Sequence, residues 1–180
     1  MKRVPADRFH RLFYPQVAAV VTAAAGDEVG GLLASSVMPT SFNPPKVAVS
    51  LGKNHKTTRL VEASKTFAVN WLSYENLTNM EKLALPTPAG VKDKLSFVGL
   101  EYRRDGKTGA PILLEAVAFL ECLVEWSRDV GDHLLYVAEV VEAMAVEDFE
   151  DYWRYERYKP VLYVGSARTD WPRYIKFPLE

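Results

Sequence analysis

The sequence predicts a mainly β fold, in which antiparallel strands close into a barrel and short helices are inserted between them. Three observations support this prediction. Short runs rich in β-branched residues are separated by Gly, Asp and Pro turns, two long alternating stretches meet at one tight turn, and helical patterns are few and brief. Closing the sheet would remove its exposed edges. A chain of 180 residues, 48% of them hydrophobic, fits one domain that spans residues 1–180.

The first part of the chain contains three of the predicted strands. The apolar run Val17–Ala23 is typical of a buried strand, and a turn at Gly26-Asp27 leads into a second extended stretch, Val29–Val37. The segment Asn43-Pro44-Pro45 predicts an extended turn, after which Val47–Leu51 alternates as a third strand.

The middle of the chain alternates between helical and extended patterns. Lys56–Ala63 predicts a short helix, Thr66–Trp71 a strand, and Asn76–Leu85 a second helix that ends before Pro86 and Pro88. A polar connector containing Lys92-Asp93-Lys94 follows.

Two longer strands come next, Ala116–Arg128 and His133–Ala145, with Gly131-Asp132 as the turn between them. The aromatic and charged segment Asp148–Lys159 is interpreted as helical, and Val161–Gly165 as a last strand.

Composition and charge exclude several classes of function. With 22 basic and 23 acidic residues the net charge is -1, so no extended basic surface is available for nucleic acid, and any anion site must be local. No apolar run approaches the roughly 20 residues that span a membrane, and the N-terminus lacks the apolar core of a signal peptide, which predicts a cytoplasmic protein. The single cysteine, Cys122, excludes an internal disulfide and is expected to be a packed core thiol.

Common catalytic motifs are absent from the sequence. Gly106-Lys107-Thr108 resembles the end of a phosphate-binding loop, but Glu101 stands where that motif needs glycine. The histidines His10, His55 and His133 lie far apart without paired acidic residues, so no metal site is predicted. No nucleophile elbow surrounds any serine. An enzyme with this sequence would take its chemistry from a cofactor.

Two segments carry unusual local chemistry. In Gly30–Val37, small and hydroxyl residues interrupt an apolar strand, which would let a flat ring approach the backbone or would serve only close packing. In Ser50–Thr58, a glycine-containing loop leads into a helix, and Lys53, His55 and Lys56 add positive charge. A helix N-terminus with such residues suits a phosphate. The alternative is that Thr57 or Thr58 merely caps the helix while the lysines are solvated.

The order of six short motifs resembles the flavin reductase-like family, and most closely its flavoredoxin branch. The similarity runs from about Phe13 to Gly165. The motifs are Pro15–Thr22, Gly31–Ser36, Ser41–Pro45, Val47–Gly52, Phe67–Asn70 and Gly131–His133. The resemblance implies a split barrel with Greek-key-type antiparallel connections, which binds FMN at a homodimer interface.

The resemblance also implies roles for individual residues. His133 would lie near the isoalloxazine ring as the catalytic residue, although a histidine that opens a strand can instead satisfy a loop carbonyl. The remaining residues would bind the cofactor: Leu33, Ala34, Ser35 and Ser36 along the ring and ribityl chain, Ser50, Leu51 and Gly52 beside the flavin, and His55, Lys56, Thr57, Thr58 and Lys94 around the phosphate.

Some positions depart from the family pattern. Leu33 and Val37 replace a polar residue and an aromatic residue, which makes the pocket more apolar, and His55 stands where arginine is common, so charge pairing there would depend on pH. The C-terminal aromatic residues serve either packing or stacking on the cofactor, with Tyr163 and Trp153 the first candidates for contact. These aromatic residues are Tyr152, Trp153, Tyr155, Tyr158, Tyr163, Trp171 and Tyr174.

Three functions are compatible with these features. The first is NAD(P)H-dependent reduction of FMN. The second is electron transfer in which FMN stays tightly bound and a redox protein partner supplies the electrons. The third is a non-enzymatic FMN-binding or small-ligand barrel, because a fold does not determine a function.

Overall fold

The computed structural model describes residues 1–151, 153–166 and 172–177. A 3-10 helix, Ala6–Phe13, precedes the first strand, and a second one covers Tyr74–Asn76. The α-helices are α1 (Lys56–Ser64), α2 (Leu77–Leu83) and α3 (Lys94–Phe97). The strands are β1 (Gln16–Val17), β2 (Ala19–Ala25), β3 (Glu28–Ala34), β4 (Val37–Phe42), β5 (Pro45–Gly52), β6 (Thr66–Leu72), β7 (Tyr102–Arg103), β8 (Ile112–Leu113), β9 (Ala116–Asp129), β10 (His133–Ala145), β11 (Val161–Tyr163) and β12 (Tyr174–Lys176).

A seven-stranded antiparallel sheet dominates the fold, with the order β3-β2-β6-β9-β10-β5-β4. Strands β1, β11 and β12 form a small second sheet, and β7 pairs with β8. The predicted mainly β, antiparallel fold is therefore confirmed, including the hairpin between β9 and β10.

The large sheet is not closed, so the closed barrel predicted from the strand pattern is wrong, whereas the split barrel that the family resemblance implies is consistent with the structure. In the described part of the chain, β3 and β4 are its two edges and share no ladder. Strand β4 contains Pro39, which has no N–H to donate, and its pairing with β5 shifts register between Pro39 and Ser41. Proline and register irregularities are typical of edge strands.

Both faces of the sheet are buried, which explains the continuous apolar run that predicted the first strand. On β2, Val21 belongs to a core that also contains Phe67 and Tyr136, whereas Val20 belongs to a second core with Leu83. Cys122 lies fully buried in the first core, and burial raises the pKa of its thiol to about 12. It is the packed thiol that the sequence predicts.

Two glycines on β3 allow helices to lie directly on the strand. A β-carbon at Gly30 would lie 2.8 Å from Cδ1 of Leu60 on α1, and one at Gly31 would lie 2.5 Å from Cδ2 of Leu95 on α3. Close packing of helices therefore explains this glycine pair, as the packing interpretation of Gly30–Val37 predicts. The same packing brings the N-terminus of α1 and the start of α3 to one edge of β3.

The helix predicted over Asp148–Lys159 is wrong, because the described residues of this segment form turns. Its aromatic side chains pack against one another at an angle: the ring of Trp153 lies 4.9 Å from that of Phe149 and 4.5 Å from that of Tyr158, centroid to centroid. The five-residue step from Trp153 to Tyr158 does not match a helical face. Tyr152 and Trp171 lie outside the described residues.

Some elements were not predicted from the sequence. The predicted stretch Val29–Val37 ends as a strand at Ala34, and a separate strand, β4, begins at Val37. The other unpredicted elements are the two 3-10 helices, the two-residue strands β7 and β8, the strand β12, and α3 within the predicted polar connector. None of the helices in the described ranges combines the length and apolar character needed to cross a membrane.

Candidate functional site

A cleft of about 330 Å³, here named the central cleft, opens at one end of the large sheet. One wall comes from the end of β3 and the link to β4, and a second from the end of β5. The predicted residues that line it are Leu33, Ala34, Ser35, Ser36, Ser50, Leu51, Gly52, His55 and His133. The structure thus brings together segments that are separated by as much as 100 residues of sequence.

Backbone pairing determines which residues meet in the central cleft. The N–H of Ser50 donates to the carbonyl oxygen of Ser36 at 3.1 Å, which joins the first two walls. Gly52 at the end of β5 lies opposite His133 at the start of β10. Strand register therefore places the Gly-Asp-His turn against the glycine-containing loop.

The two histidines of the cleft approach each other beside Gly52. A β-carbon at Gly52 would lie 3.2 Å from Nε2 of His55 and 3.8 Å from Nε2 of His133. Nδ1 of His133 lies 2.7 Å from Oδ1 of Asp132, so in the neutral ring this nitrogen carries the proton and Nε2 is left as an acceptor. Burial, followed by the charges of Lys94 and His133, lowers the pKa of His55.

A second, more basic space of about 300 Å³ adjoins the central cleft, and we name it the basic lobe. The two spaces share His55 and Ala84. The charged or polar side chains that line the basic lobe are Asn54, His55, Lys56, Thr57, Arg59, Thr87 and Lys94. The lobe lies at the start of α1, where main-chain N–H groups are free of helix partners and the helix dipole is positive.

Lys94 is the buried cation of the basic lobe. Its side chain Nζ donates to the carbonyl oxygens of Leu83 and Leu85, both at 2.7 Å, at the end of α2. The residue is only 5% exposed, and burial lowers its pKa. Because an ammonium group has three N–H donors, one donor of Lys94 remains for a ligand.

Lys56 contacts the same lobe in a different way. Its Nζ donates to the carbonyl oxygens of Val91 at 3.0 Å and Lys92 at 2.6 Å, and lies 3.3 Å from the carboxylate of Glu28. These three partners occupy the three donors of the ammonium group. Lys56 therefore contributes charge to the lobe, whereas Lys94 can also donate a hydrogen bond.

The two threonines of the predicted phosphate turn have separate places. Thr57 is 2% exposed and lines the basic lobe. Thr58 lines neither space, and its hydroxyl donates to the carbonyl oxygen of Gly52 at 2.7 Å, which holds the loop against the helix. Neither threonine caps α1, since its N-cap is His55, without a side-chain capping bond.

The remaining wall of the central cleft is aromatic and comes from the N-terminal segment and the small sheet. It includes Tyr14, Tyr163 and Tyr174, with Arg173 beside them. Among the candidate aromatic residues, Tyr163 therefore lines the cleft, whereas Trp153 packs elsewhere with Phe149 and Tyr158.

Sequence reasoning missed several residues that line these spaces, and Arg59, Tyr14 and Arg173 are the three that add charge or an aromatic ring. Arg59 follows Lys56 by three positions on α1, a spacing that places both on one helix face. The sequence therefore contained the information needed to predict that Arg59 lies beside Lys56. Tyr14 and Arg173 come from the two ends of the chain, and no local pattern indicates that they approach the cleft.

Comparison with known proteins identifies the family. The model of the flavin reductase like domain matches residues 9–171. The chain belongs to the flavin reductase-like family. A ferric-chelate reductase (NAD(P)H) from Archaeoglobus fulgidus is 34% identical over 132 residues, which cover 73% of this chain and 76% of the relative.

Solved structures of the family resemble this chain over most of its length. The NADH:FAD oxidoreductase of Streptomyces globisporus is 29% identical with a TM-score of 0.73, and the match covers 90% of this chain and 92% of that one. A flavoredoxin from Methanosarcina acetivorans shares the fold, with a TM-score of 0.80 at 18% identity over 98% of this chain and 90% of that one.

Other relatives are longer. This chain spans 66% of the length of a protein from Aeropyrum pernix, which is 33% identical over 97% of this chain.

The chemistry of the site fits the flavin that the family implies. A flat ring requires a cleft with small side chains and exposed backbone, which Ala34, Ser35, Ser36 and Gly52 provide. A phosphate requires donors and positive charge within reach, which the basic lobe provides beside the same cleft.

Proposed function

We propose that this protein binds FMN in the central cleft and the basic lobe and reduces it with NAD(P)H. The observation that carries the proposal is the junction of the two spaces at His55. The central cleft, with small side chains at Ala34–Ser36 and Gly52, shares His55 with a lobe that holds the free donor of Lys94 and the start of α1. This arrangement matches a molecule that is flat at one end and doubly anionic at the other.

Each part of the chain has a defined task in this proposal. Lys94 and the first-turn N–H groups of α1 hold the phosphate, and Arg59 adds positive charge. The walls at Leu33–Ser36 and Ser50–Gly52 hold the ring and exclude water. His133, oriented by Asp132, presents Nε2 to the ring as a hydrogen-bond acceptor.

The bound flavin would supply the redox chemistry, accepting a hydride from the nicotinamide and a proton from solvent. The names of the Archaeoglobus and Streptomyces relatives, a ferric-chelate reductase that uses NAD(P)H and an NADH:FAD oxidoreductase, support a nicotinamide nucleotide as the electron donor. The final acceptor is expected to be a small molecule that reaches the open side of the central cleft.

Purified protein tests this function directly. We expect saturable binding of FMN and oxidation of NADH or NADPH above a blank without protein. FMN that stays bound through desalting, without nicotinamide oxidation, would contradict the reductase and indicate the electron carrier with a protein partner. FAD bound more tightly than FMN would contradict the choice of flavin. Absence of any flavin binding would reject the proposal altogether.

We further propose that two copies of the chain associate through an apolar groove beside the cleft. The groove has about 350 Å³ of space and is lined by Val37, Met38, Phe42, Trp71, Leu120 and Val140, among others. Met38 is 58% exposed and Phe42 is 90% exposed, and large exposed apolar patches mark interaction sites. Because Val37 directly follows Ser36 of the central cleft, a second copy seated there would border the cofactor.

Light scattering after gel filtration tests this association. The wild-type protein is expected to have the mass of a dimer, and Phe42→Lys the mass of a monomer. A monomeric wild-type protein would overturn the proposed association and leave the cofactor proposal standing.

A further inference from the structure

A third space adjoins the central cleft on its aromatic side, and we name it the N-terminal lobe. It has about 100 Å³ and is lined by His10, Arg11, Tyr14, Tyr163, Gly165 and Ser166, with Val164 between them. It shares Tyr14, Tyr163 and Ser166 with the central cleft and none of its lining residues with the basic lobe. The central cleft therefore has two separate lobes that contain cationic side chains.

Close packing holds the floor of the N-terminal lobe. The rings of Tyr14 and Tyr163 meet edge to face with centroids 4.9 Å apart. Gly165 has φ of +92°, and a β-carbon there would lie 3.0 Å from Cε2 of Tyr14. A side chain at position 165 would strain the backbone and press on the tyrosine ring, so glycine keeps the lobe open.

Two arginines border this lobe and the cleft beside it, Arg11 and Arg173. In the described ranges, neither Arg11 nor Arg173 forms an ion pair, whereas Arg103, Arg154 and Arg157 each do. Arg173 lines the central cleft next to the tyrosines, and Arg11 lines the lobe beyond them. Two arginines that form no ion pair with the described residues, beside closely packed tyrosine rings, suit phosphate groups attached to an aromatic ring system.

We propose that the N-terminal lobe and Arg173 bind the pyrophosphate of the hydride donor, a pyridine dinucleotide, and so direct its nicotinamide into the central cleft. This inference rests on the proposed function, since the FMN phosphate takes the basic lobe and leaves this second cationic lobe for the second anionic reactant. Arg11 and Arg173 are positioning residues: they hold the donor and do not contact the atoms that react.

Two measurements on the FMN-loaded protein test the inference. The first is the affinity of ADP-ribose, which has the pyrophosphate of the donor but no nicotinamide, by calorimetry. The second is the steady-state KM for NADH and NADPH. In the double variant Arg11→Gln, Arg173→Gln, we expect the Kd of ADP-ribose and the KM to rise by about tenfold or more, because two charge-assisted hydrogen bonds are lost.

The matched controls separate this effect from a general change of charge or fold. Arg8 lies on the same exposed 3-10 helix as Arg11 but lines none of the three spaces. Arg8→Gln is therefore expected to keep the wild-type Kd of ADP-ribose and the wild-type KM. Because Arg173 lines the cleft proposed to hold FMN, the FMN affinity of the double variant is titrated first. KM and kcat are then compared at saturating FMN, where kcat is expected to change by less than about twofold, since donor binding alone is weakened. If the double variant loses FMN, the two single variants are measured in its place.

The outcomes distinguish this inference from the proposed function. Wild-type KM and wild-type ADP-ribose affinity in the variants would overturn the inference while the reductase function stands. Arginine-dependent binding of ADP-ribose without nicotinamide oxidation would reject the reductase and leave the lobe as a nucleotide site. Absence of both binding and oxidation in the wild-type protein would reject both proposals.

Discussion

The central cleft and the basic lobe meet at His55 but are built by different means. The central cleft consists of strand ends and small residues, so its shape depends on the register of β5 with its neighbours. The basic lobe consists of side chains from helices, and its buried cation, Lys94, is held by two carbonyl groups of the chain itself. Substitutions should therefore affect the two ends of a bound flavin differently. Loss of charge in the basic lobe should weaken binding of the phosphate, and added bulk in the central cleft should weaken binding of the ring.

The largest expected effect comes from Lys94→Met. Loss of the buried ammonium removes a charged donor to the phosphate, so FMN affinity should fall by about 1.5–3 kcal/mol while riboflavin, which has no phosphate, binds as in the wild type. Fluorescence titrations with both flavins measure the difference. Because the carbonyls of Leu83 and Leu85 also lose their partner, the free energy of unfolding should fall by ~1–3 kcal/mol.

Lys56→Met is the matched control for Lys94→Met. The ammonium of Lys56 directs its donors to Val91, Lys92 and Glu28. Lys56→Met should therefore change the preference for FMN over riboflavin less than Lys94→Met does. Equal losses in the two variants would contradict the assignment of the free donor to Lys94.

Added bulk in the central cleft should affect both flavins alike. Ser35 is half-buried on the link between β3 and β4 and lines the cleft, so Ser35→Leu should weaken FMN and riboflavin equally, by roughly 1–3 kcal/mol. The same titrations measure both affinities. A loss of affinity confined to FMN would mean that the phosphate, rather than the ring, lies beside Ser35.

Removal of His133 is expected to alter the chemistry more than the binding. In His133→Ala the ring loses the acceptor that Asp132 orients, so kcat for NAD(P)H oxidation should fall by ~10-fold or more while FMN affinity stays near the wild-type value. Stopped-flow reduction of the bound flavin measures this step. Unfolding of the variant, detected by circular dichroism, would show instead that His133 stabilises the hairpin formed by β9 and β10.

The smallest expected effect is the pH dependence of FMN binding through His55. Its pKa is lowered in the free protein, chiefly by burial, and a phosphate beside it would favour the protonated ring. FMN binding should therefore take up a proton at His55, and this contribution to affinity should grow as the pH falls from 8 to about 6. The phosphate of free FMN titrates near pH 6 as well, and this contribution is the same for the wild type and every variant.

His55→Gln isolates this contribution. The ratio of the FMN dissociation constants of the variant and the wild type should rise as the pH falls over the same range. A ratio that is constant with pH would show that His55 does not contact the phosphate.

Much of this site could be predicted from the sequence because its parts are local. The turn around Ser35 and the loop before α1 are continuous segments, and their small, hydroxyl and basic residues indicate a ring and an anion without knowledge of the fold. The mainly β architecture could also be predicted, because each short alternating run of apolar residues is a local pattern. The family resemblance supplied what these patterns lack, which is the identity of the ligand.

The remaining features depend on long-range packing, which no local pattern records. Tyr14 and Arg173 reach the cleft only because β1 and β12 join β11 in the small sheet. The segment around Trp153 was predicted to be helical from its composition, whereas in the structure its rings pack against Phe149 and Tyr158 without a helix. The large sheet ends at the edge strand β4, where the register with β5 shifts between Pro39 and Ser41.

The most direct test of the account is a comparison of FMN and riboflavin binding to the wild-type protein, followed by the visible spectrum of the complex. We expect one FMN per chain, with flavin absorbance bands perturbed by the protein, and riboflavin bound more weakly by at least about tenfold, since it cannot use the basic lobe. Equal affinity for the two flavins would contradict the basic lobe as the phosphate site. No binding of either flavin at saturating concentration would contradict the central claim that this cleft holds FMN.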